Sequence, residues 1–340
     1  MKKGSIKRVL GVGLSIVLAL GLTACGGNSA PSTSQGTEGS SQAKKVNIGI
    51  IQIVEHPALD AARQGFLEAL KAKGYEEGKN LTVDYQNAQG DQSNLQSISQ
   101  KFASSKLDLI LAIATPSAQV MASATQDTPI LITAVTDPVE ANLVGSMEKP
   151  GGNISGTTDM NPIKEQLELL KKLVPDAETI GVLYNAAEVN SEVQVRVVKA
   201  EAPALGLKIQ EATVATSADV LQAAQSLVGK VDAIYVPTDN MVVSAAQSVI
   251  QVANENKIPI ISGESSVVEA GGLGTIGINY KNLGAQTGEM ALRIFEGAKI
   301  AEMPIESQKD FDIVLNQKTI DLLGIKVPAE IQSEATLLNK

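Results

Sequence analysis

Cysteine, histidine, tryptophan and long apolar runs are almost missing from this chain of 340 residues, and each shortage closes off a class of function. One Cys and one His cannot assemble a zinc, copper or haem centre, so no metal or other cofactor is expected. A single Cys has no partner for a disulfide, which leaves stability to packing. With no Trp and only four Phe, the stacked aromatic walls common in sugar sites are hard to build. The longest apolar run, from Val9 to Leu22, is about 14 residues where a bilayer span needs about 20, which argues against a permanent transmembrane helix. Basic residues are too few to match the acidic ones, 28 against 37, and the net charge of −9 speaks against nucleic acid or any other polyanion as a partner.

What is present begins at the N-terminus. Lys2, Lys3, Lys7 and Arg8 precede the apolar run, which closes on Leu22-Thr23-Ala24-Cys25. That order reads as a secretory signal over 1–24 ending in a lipobox, with cleavage before Cys25. The new N-terminal thiol would carry a diacylglycerol, and two acyl chains hold well because each buried methylene contributes about 0.8 kcal/mol. Loss of the four basic residues takes the net charge from −9 to −13. From Gly26 to Lys45 the chain is Gly, Ser, Thr, Gln, Asn and Ala with almost no large apolar side chain, so 25–45 is expected to be a flexible tether. The expectation is an extracytoplasmic protein, monomeric, moored to a membrane through Cys25.

About 290 residues remain, comfortable for two domains. Short apolar runs alternate with longer helical patterns, the rhythm of βαβ units around parallel sheets. Strands are expected at Val46–Gln52, Leu81–Gln86, Leu107–Ala114 and Pro129–Ala134, with helices over Pro57–Lys73, Asn94–Ser104 and Ser117–Thr125. The plan then restarts. Gly181-Val-Leu-Tyr184 echoes Gly49-Ile-Ile-Gln52, Asp232-Ala-Ile-Tyr235 echoes Asp108-Leu-Ile-Leu111, and Ile258-Pro-Ile-Ile261 echoes Thr128-Pro-Ile-Leu131, at offsets of 132, 124 and 130. Near-equal offsets predict two doubly wound α/β lobes of one design. A nominal Gly-x-Gly-x-x-Gly at Gly272, Gly274 and Gly277 runs into an apparent strand, Thr275–Tyr280, and so does not read as a dinucleotide fingerprint.

In open parallel sheets the ligand crevice lies outside the carboxyl ends of the strands, and two facing lobes would share one cleft there. The segments after the strands are polar: Gln52 to Pro57 with Glu55 and His56, Ala114 to Ser117, Thr136 to Pro138, Tyr184-Asn185, Pro237 to Asn240 with Thr238, and Ser262 to Ser265 with Gly263 and Glu264. Thr115 and Ser117 sit where a helix begins, so they either meet a carboxylate at its N-terminus or simply cap it. Asp137 and Asp239, each after a Thr, either pair with an ammonium group or stabilise a turn. Glu55, His56 and Asp60 together would be the start of an acid–base constellation, but a hydrolase needs a nucleophile and an orienting partner as well. Tyr184 and, at a hinge, Tyr280 are the aromatics nearest a cleft; Tyr235 reads as core.

Gln52-Ile-Val-Glu-His-Pro-Ala-Leu-Asp60, Ala114-Thr-Pro-Ser117, Thr136-Asp-Pro138, Gly156-Thr-Thr-Asp-Met160 and Pro237-Thr-Asp-Asn240 together resemble the ABC-transporter substrate-binding lipoproteins of the tryptophan/tyrosine uptake group. The resemblance covers nearly the whole chain after the leader. It implies a type I periplasmic-binding-protein fold, an N-lobe of 46–159 plus 281–303, a C-lobe of 160–280 plus 304–340, and crossings near Thr157–Met160, Ile278–Tyr280 and Met303–Ser307. It implies an aromatic amino acid such as L-tryptophan as ligand, and an ABC permease with its ATPase as partners. Carried onto this chain, Thr115, Ser117 and Thr136 would hold the carboxylate, Asp137 or Asp239 the ammonium, and Tyr184 would flank the side chain. Gln52, Glu55, His56, Asn185, Thr238, Gly263 and Glu264 complete the expected cleft. A sensor lipoprotein, a binder of another amino acid, a nucleobase or a sugar, and an extracellular enzyme remain the alternatives.

Overall fold

The computed structural model describes residues 45–339, so the leader, Cys25 and the tether lie outside the described residues. The described part belongs to one compact unit. Its first lobe runs β1 (Val46–Gln52), α1 (Pro57–Ala72), β2 (Leu81–Asn87), α2 (Gln92–Ser104), β3 (Leu109–Ile113), α3 (Thr115–Ala124), β4 (Ile130–Val135) and β5 (Ile154–Thr158). The second runs α4 (Ile163–Leu173), β6 (Thr179–Asn185), α5 (Val189–Glu201), β7 (Lys208–Val214), α6 (Val220–Leu227), β8 (Ala233–Val236), α7 (Asn240–Ser244), α8 (Ala246–Glu255), β9 (Ile260–Ser262), α9 (Ser265–Ala270) and β10 (Gly274–Gly277). Helix α10 (Tyr280–Phe295) and β11 (Glu306–Ser307) return to the first lobe, and β12 (Asp312–Asn316) and β13 (Thr336–Leu338) end in the second.

The two sheets repeat one order. Strands β2-β1-β3-β4-β5 of the first correspond to β7-β6-β8-β9-β10 of the second, every neighbouring pair parallel. Such strands are covered on both faces and read as continuous apolar runs, which is why all of Leu109–Ile113 and Ile130–Val135 are buried. The echo between Gly49 and Gly181 has a steric cause. A Cβ on Gly49 would stand 2.7 Å from Leu107 Cδ1, and one on Gly181 2.7 Å from Leu227 Cδ1, so each lobe packs a leucine onto the bare backbone of its first strand.

Helix α10 is fixed against α1 by another close approach: a Cβ on Gly65 would lie 1.9 Å from the Lys281 carbonyl oxygen, and one on Gly284 1.8 Å from that of Ala62. The start of α10 thereby seats Tyr280 at the hinge. The last return to the second lobe comes late. Ser155 donates to the carbonyls of Met303 and Pro304, and Glu306 and Ser307 pair with Thr157 and Thr158, so the chain stays in the first lobe through Ser307. Among the described residues no helix is long and apolar enough to cross a membrane, and no cluster of three or more His, Cys, Asp or Glu could hold a metal.

Candidate functional site

Where the carboxyl ends of the two sheets face each other, both lobes and the hinge border a narrow space of about 280 Å³, counting all the room between atoms together with its opening to solvent. The first lobe contributes His56, Leu59, Ala134, Thr136 and Asp159; the second contributes Asn190, Thr238, Asn240, Val243 and Glu264; Tyr280 closes the hinge side. The lobes touch around it. Arg196 on α5 pairs with Glu140 of the first lobe at 2.9 Å, and Met241 lies against Gly90.

The backbone is strained on the first-lobe side. Ala114 takes φ 75 and ψ 154, and Ala134 takes φ 55 at a break in the β4–β5 register. Non-glycine residues in such regions cost roughly 1–3 kcal/mol each, and bulges re-aim side chains beside functional sites. Ala114 turns β3 directly into α3, leaving Thr115 and Ser117 in its first turn. Both are buried, and neither hydroxyl has a hydrogen-bond partner. Because β3 lies between β1 and β4, the helix start that carries these residues falls between the segments that carry His56 and Thr136. His56 Nδ1 and Gln52 Oε1 are also unpaired. A buried polar atom left unpaired costs about 1–3 kcal/mol, so four of them at adjacent strand ends are a mould for something else.

Acidity collects at the hinge. Asp159 accepts from Thr136 Oγ1 at 3.0 Å and from the Tyr280 hydroxyl at 2.7 Å, yet burial still raises its pKa. Burial pushes Glu264 up to about 8, helped by the charge of Asp159 and opposed by a hydrogen bond from Ser266. His56 is driven down to about 4 by burial, partly offset by Asn240, and so is neutral. The wall thus carries two buried carboxyl groups and no basic side chain that is charged at neutral pH. Behind it, Glu188 Oε2 accepts from Asn190 Nδ2 at 3.0 Å and from Asn240 Nδ2 at 2.5 Å; burial and the neighbouring Asp239 push Glu188 up to about 8.

Of the residues expected in the cleft, His56, Thr136, Thr238 and Glu264 line the cavity, whereas Thr115, Ser117 and Gln52 lie at neighbouring strand ends and do not line it. Others are engaged elsewhere. Asp137 Oδ1 accepts from the amides of Val139 and Glu140 and shapes a turn, and the residue does not line the cavity. Asp239 is fully buried and satisfied: Oδ1 caps Val242, and Oδ2 accepts from the Asn185 amide and Ser191. Tyr184 belongs to the core of the second lobe, its hydroxyl donating to Glu211 at 2.7 Å, so it does not flank the cavity. Asn185 binds the Ala187 amide through its side chain, and Glu55 accepts from Tyr85 on the outer edge. Gly263 lets the backbone approach Thr238 closely, a Cβ there standing 2.9 Å from the Thr238 nitrogen.

Sequence reasoning missed Asp159, Asn190 and Asn240 as cavity residues. Asn240 stands next to Asp239 in the polar run that was singled out, and Asp159 lies in a crossing segment. For Asn190 the only signal was the polar stretch continuing from Asn185 into α5.

A family model described as ABC transporter substrate binding protein matches residues 47–338. A tyrosine-binding protein of Clostridioides difficile (strain R20291) is 47% identical over 321 residues, covering 94% of this chain and 93% of that one. The crystal structure of an ABC domain in complex with L-Trp from Streptococcus pneumonia superposes with a TM-score of 0.84 at 38% identity, covering 86% of this chain and 99% of that one. The ligand-free, open structure of a substrate-binding protein with adhesive properties from Clostridium difficile shares more sequence, 50%, over the same spans, but superposes less well, at 0.66. Likeness of shape here follows lobe arrangement more than sequence, and this chain stands nearer the ligand-bound structure than the open one.

Proposed function

The chain belongs to the ABC transporter substrate-binding proteins, and from that premise we propose that it captures an aromatic L-amino acid by closing its lobes and presents it to a permease. Members of this family are extracytoplasmic, bind small molecules and work with a membrane permease and its ATPase. The observation that carries the reading is the polarity of the cavity. On one side, at the end of β3 and outside the cavity wall itself, stand two unpaired buried hydroxyls, Thr115 and Ser117, with the free amides and positive end of the ten-residue α3, a setting that suits a carboxylate. On the other stand Asp159 and Glu264, buried without a cation, a setting that suits an ammonium group. Between them lie Leu59, Ala134 and Val243, apolar cover for a side chain. A neutral sugar would offer these acids no cation.

The mechanism needs no covalent step. The ligand touches both lobes, so it favours the closed form by its differential affinity, and the closed form docks on the permease. Lipid on Cys25 and the tether from Gly26 to Lys45 keep a monomeric receptor close to that permease, raising its effective concentration. Titration calorimetry and thermal shift with L-Trp, L-Tyr, L-Phe, other amino acids, sugars and nucleosides test the ligand. An aromatic amino acid at 100 times its Kd adds about 2.7 kcal/mol of stability. If all three leave the melting point unmoved while another class raises it, the assignment fails. Mass spectrometry of the membrane fraction tests the anchor: the N-terminal peptide should begin at a diacylglyceryl-modified Cys25, and Cys25→Ser should abolish that species.

A further inference from the structure

The amide of Asn190, on the second-lobe wall of the cavity, has one end tied down and one end free. Its Nδ2 donates to the Thr238 carbonyl at 3.1 Å, to Glu188 Oε2 at 3.0 Å and to Ser191 Oγ at 3.3 Å, while Oδ1, in a side chain only 4% exposed, has no partner. A backbone carbonyl only accepts, so Thr238 fixes which end of the amide is the NH₂, and the unpaired atom is an acceptor. Asn190 lies in the first turn of α5, after β6, and Glu264 follows β9, and both line the one cavity.

Resting on the reading of the cavity as an aromatic amino-acid site, we propose that Asn190 Oδ1 is the specificity-determining acceptor for a ring donor, a phenol O–H or an indole N–H. Phenylalanine has no such donor, and binding it leaves the buried acceptor unpaired. A site built around a hydrogen bond rejects an analogue that lacks it far more strongly than an apolar pocket rejects a change in size. Apolar burial alone gives the opposite order for the tyrosine–phenylalanine pair, since phenylalanine is the more apolar of the two.

Calorimetry on the unmodified protein tests this with L-tyrosine, O-methyl-L-tyrosine, L-tryptophan, 1-methyl-L-tryptophan and L-phenylalanine. The tighter of L-Tyr and L-Trp is expected to bind about ten- to a hundredfold more tightly than L-Phe and to lose most of that margin when its ring donor is methylated. Asn190→Ala should narrow the same margin while leaving L-Phe within about threefold of its original affinity. L-Phe binding as tightly as the better of the other two overturns the proposal, as does an Asn190→Ala variant that weakens all three alike. Binding by none of them overturns the aromatic reading itself, whereas equal binding by all of them overturns the role of Asn190 alone. The ligand series requires no substitution, so it decides the matter even if the variant folds poorly.

Discussion

Replacing Ser117 by alanine separates a binding hydroxyl from a structural one because the two roles predict opposite signs. Ser117 is fully buried and its Oγ has no partner, so the ligand-free fold carries an uncompensated desolvation. Removing the hydroxyl should leave the free protein as stable or raise it by about 1 kcal/mol, the low end of the cost of an unpaired buried group. For a two-lobed chain of this size that is no more than about 2–4 °C in Tm. Binding should suffer instead. A hydrogen bond to a carboxylate is worth about 1.5–3 kcal/mol, and at about 1.4 kcal/mol per factor of ten that is a ten- to 150-fold loss of L-Trp affinity. The assay pairs thermal denaturation without ligand with calorimetry using L-Trp and tryptamine, which lacks the carboxylate. Tryptamine should bind the variant and the original protein alike. A fall in Tm with L-Trp affinity held within twofold would refute the carboxylate role, and so would equal losses for L-Trp and tryptamine.

Glu264, held up to about 8 against an ordinary 4.5, keeps its proton in the folded protein at pH 7 while the unfolded chain has lost it. The folded state binds the extra proton, so this group's share of stability is complete below about 4.5 and is lost as pH rises through 8. His56, lowered to about 4, acts oppositely: its share is present above 6.5 and lost as pH falls through 4. The comparison with Glu264→Gln isolates the former, and the variant should lose the decline toward pH 8. An ammonium group docking there must displace the proton, so L-Trp binding at pH 7 should release protons, read from binding enthalpies in buffers of different ionisation heat; no release and an unchanged pH slope would contradict this. Gly284→Ala would drive a Cβ to 1.8 Å from the Ala62 carbonyl oxygen, and overpacking of about 1–3 kcal/mol should lower Tm by several degrees; an unchanged Tm would contradict the close crossing of α1 and α10. Glu140→Ala removes the exposed pair with Arg196 that spans the lobes and should weaken ligand binding up to about fivefold at low salt and little at high salt; no loss at low salt would mean the pair does not help closure.

The order of elements was legible in the sequence because it rests on local patterns. Val46–Gln52 is strand in expectation and in structure, and the helix expected over Pro57–Lys73 ends one residue earlier, at Ala72, because apolar spacing, Pro57 at the helix start and Gly74 beyond its end act within a few residues. The doubling was legible too, since the same steric demand for glycine recurs at Gly49 and Gly181. Helix starts drifted slightly, α2 opening at Gln92 on an Asp91 cap and α3 at Thr115 on a strained Ala114.

By itself the sequence determined two parallel-sheet lobes with polar strand ends and the helix terminus carrying Thr115 and Ser117. Tertiary structure decided which acids serve the cleft. Asp137 and Asp239 stand after strands just as Glu264 does, yet neither lines the cavity, Asp137 Oδ1 shaping a turn and Asp239 being taken up by nearby donors, whereas Glu264 and Asp159 are brought together from different lobes beside Tyr280. Asn190 acquires its free acceptor only because Thr238, 48 residues away, holds its other end. A carboxylate or an amide is directed by whichever donors and acceptors reach it first, and those come from segments that meet only once the lobes have packed.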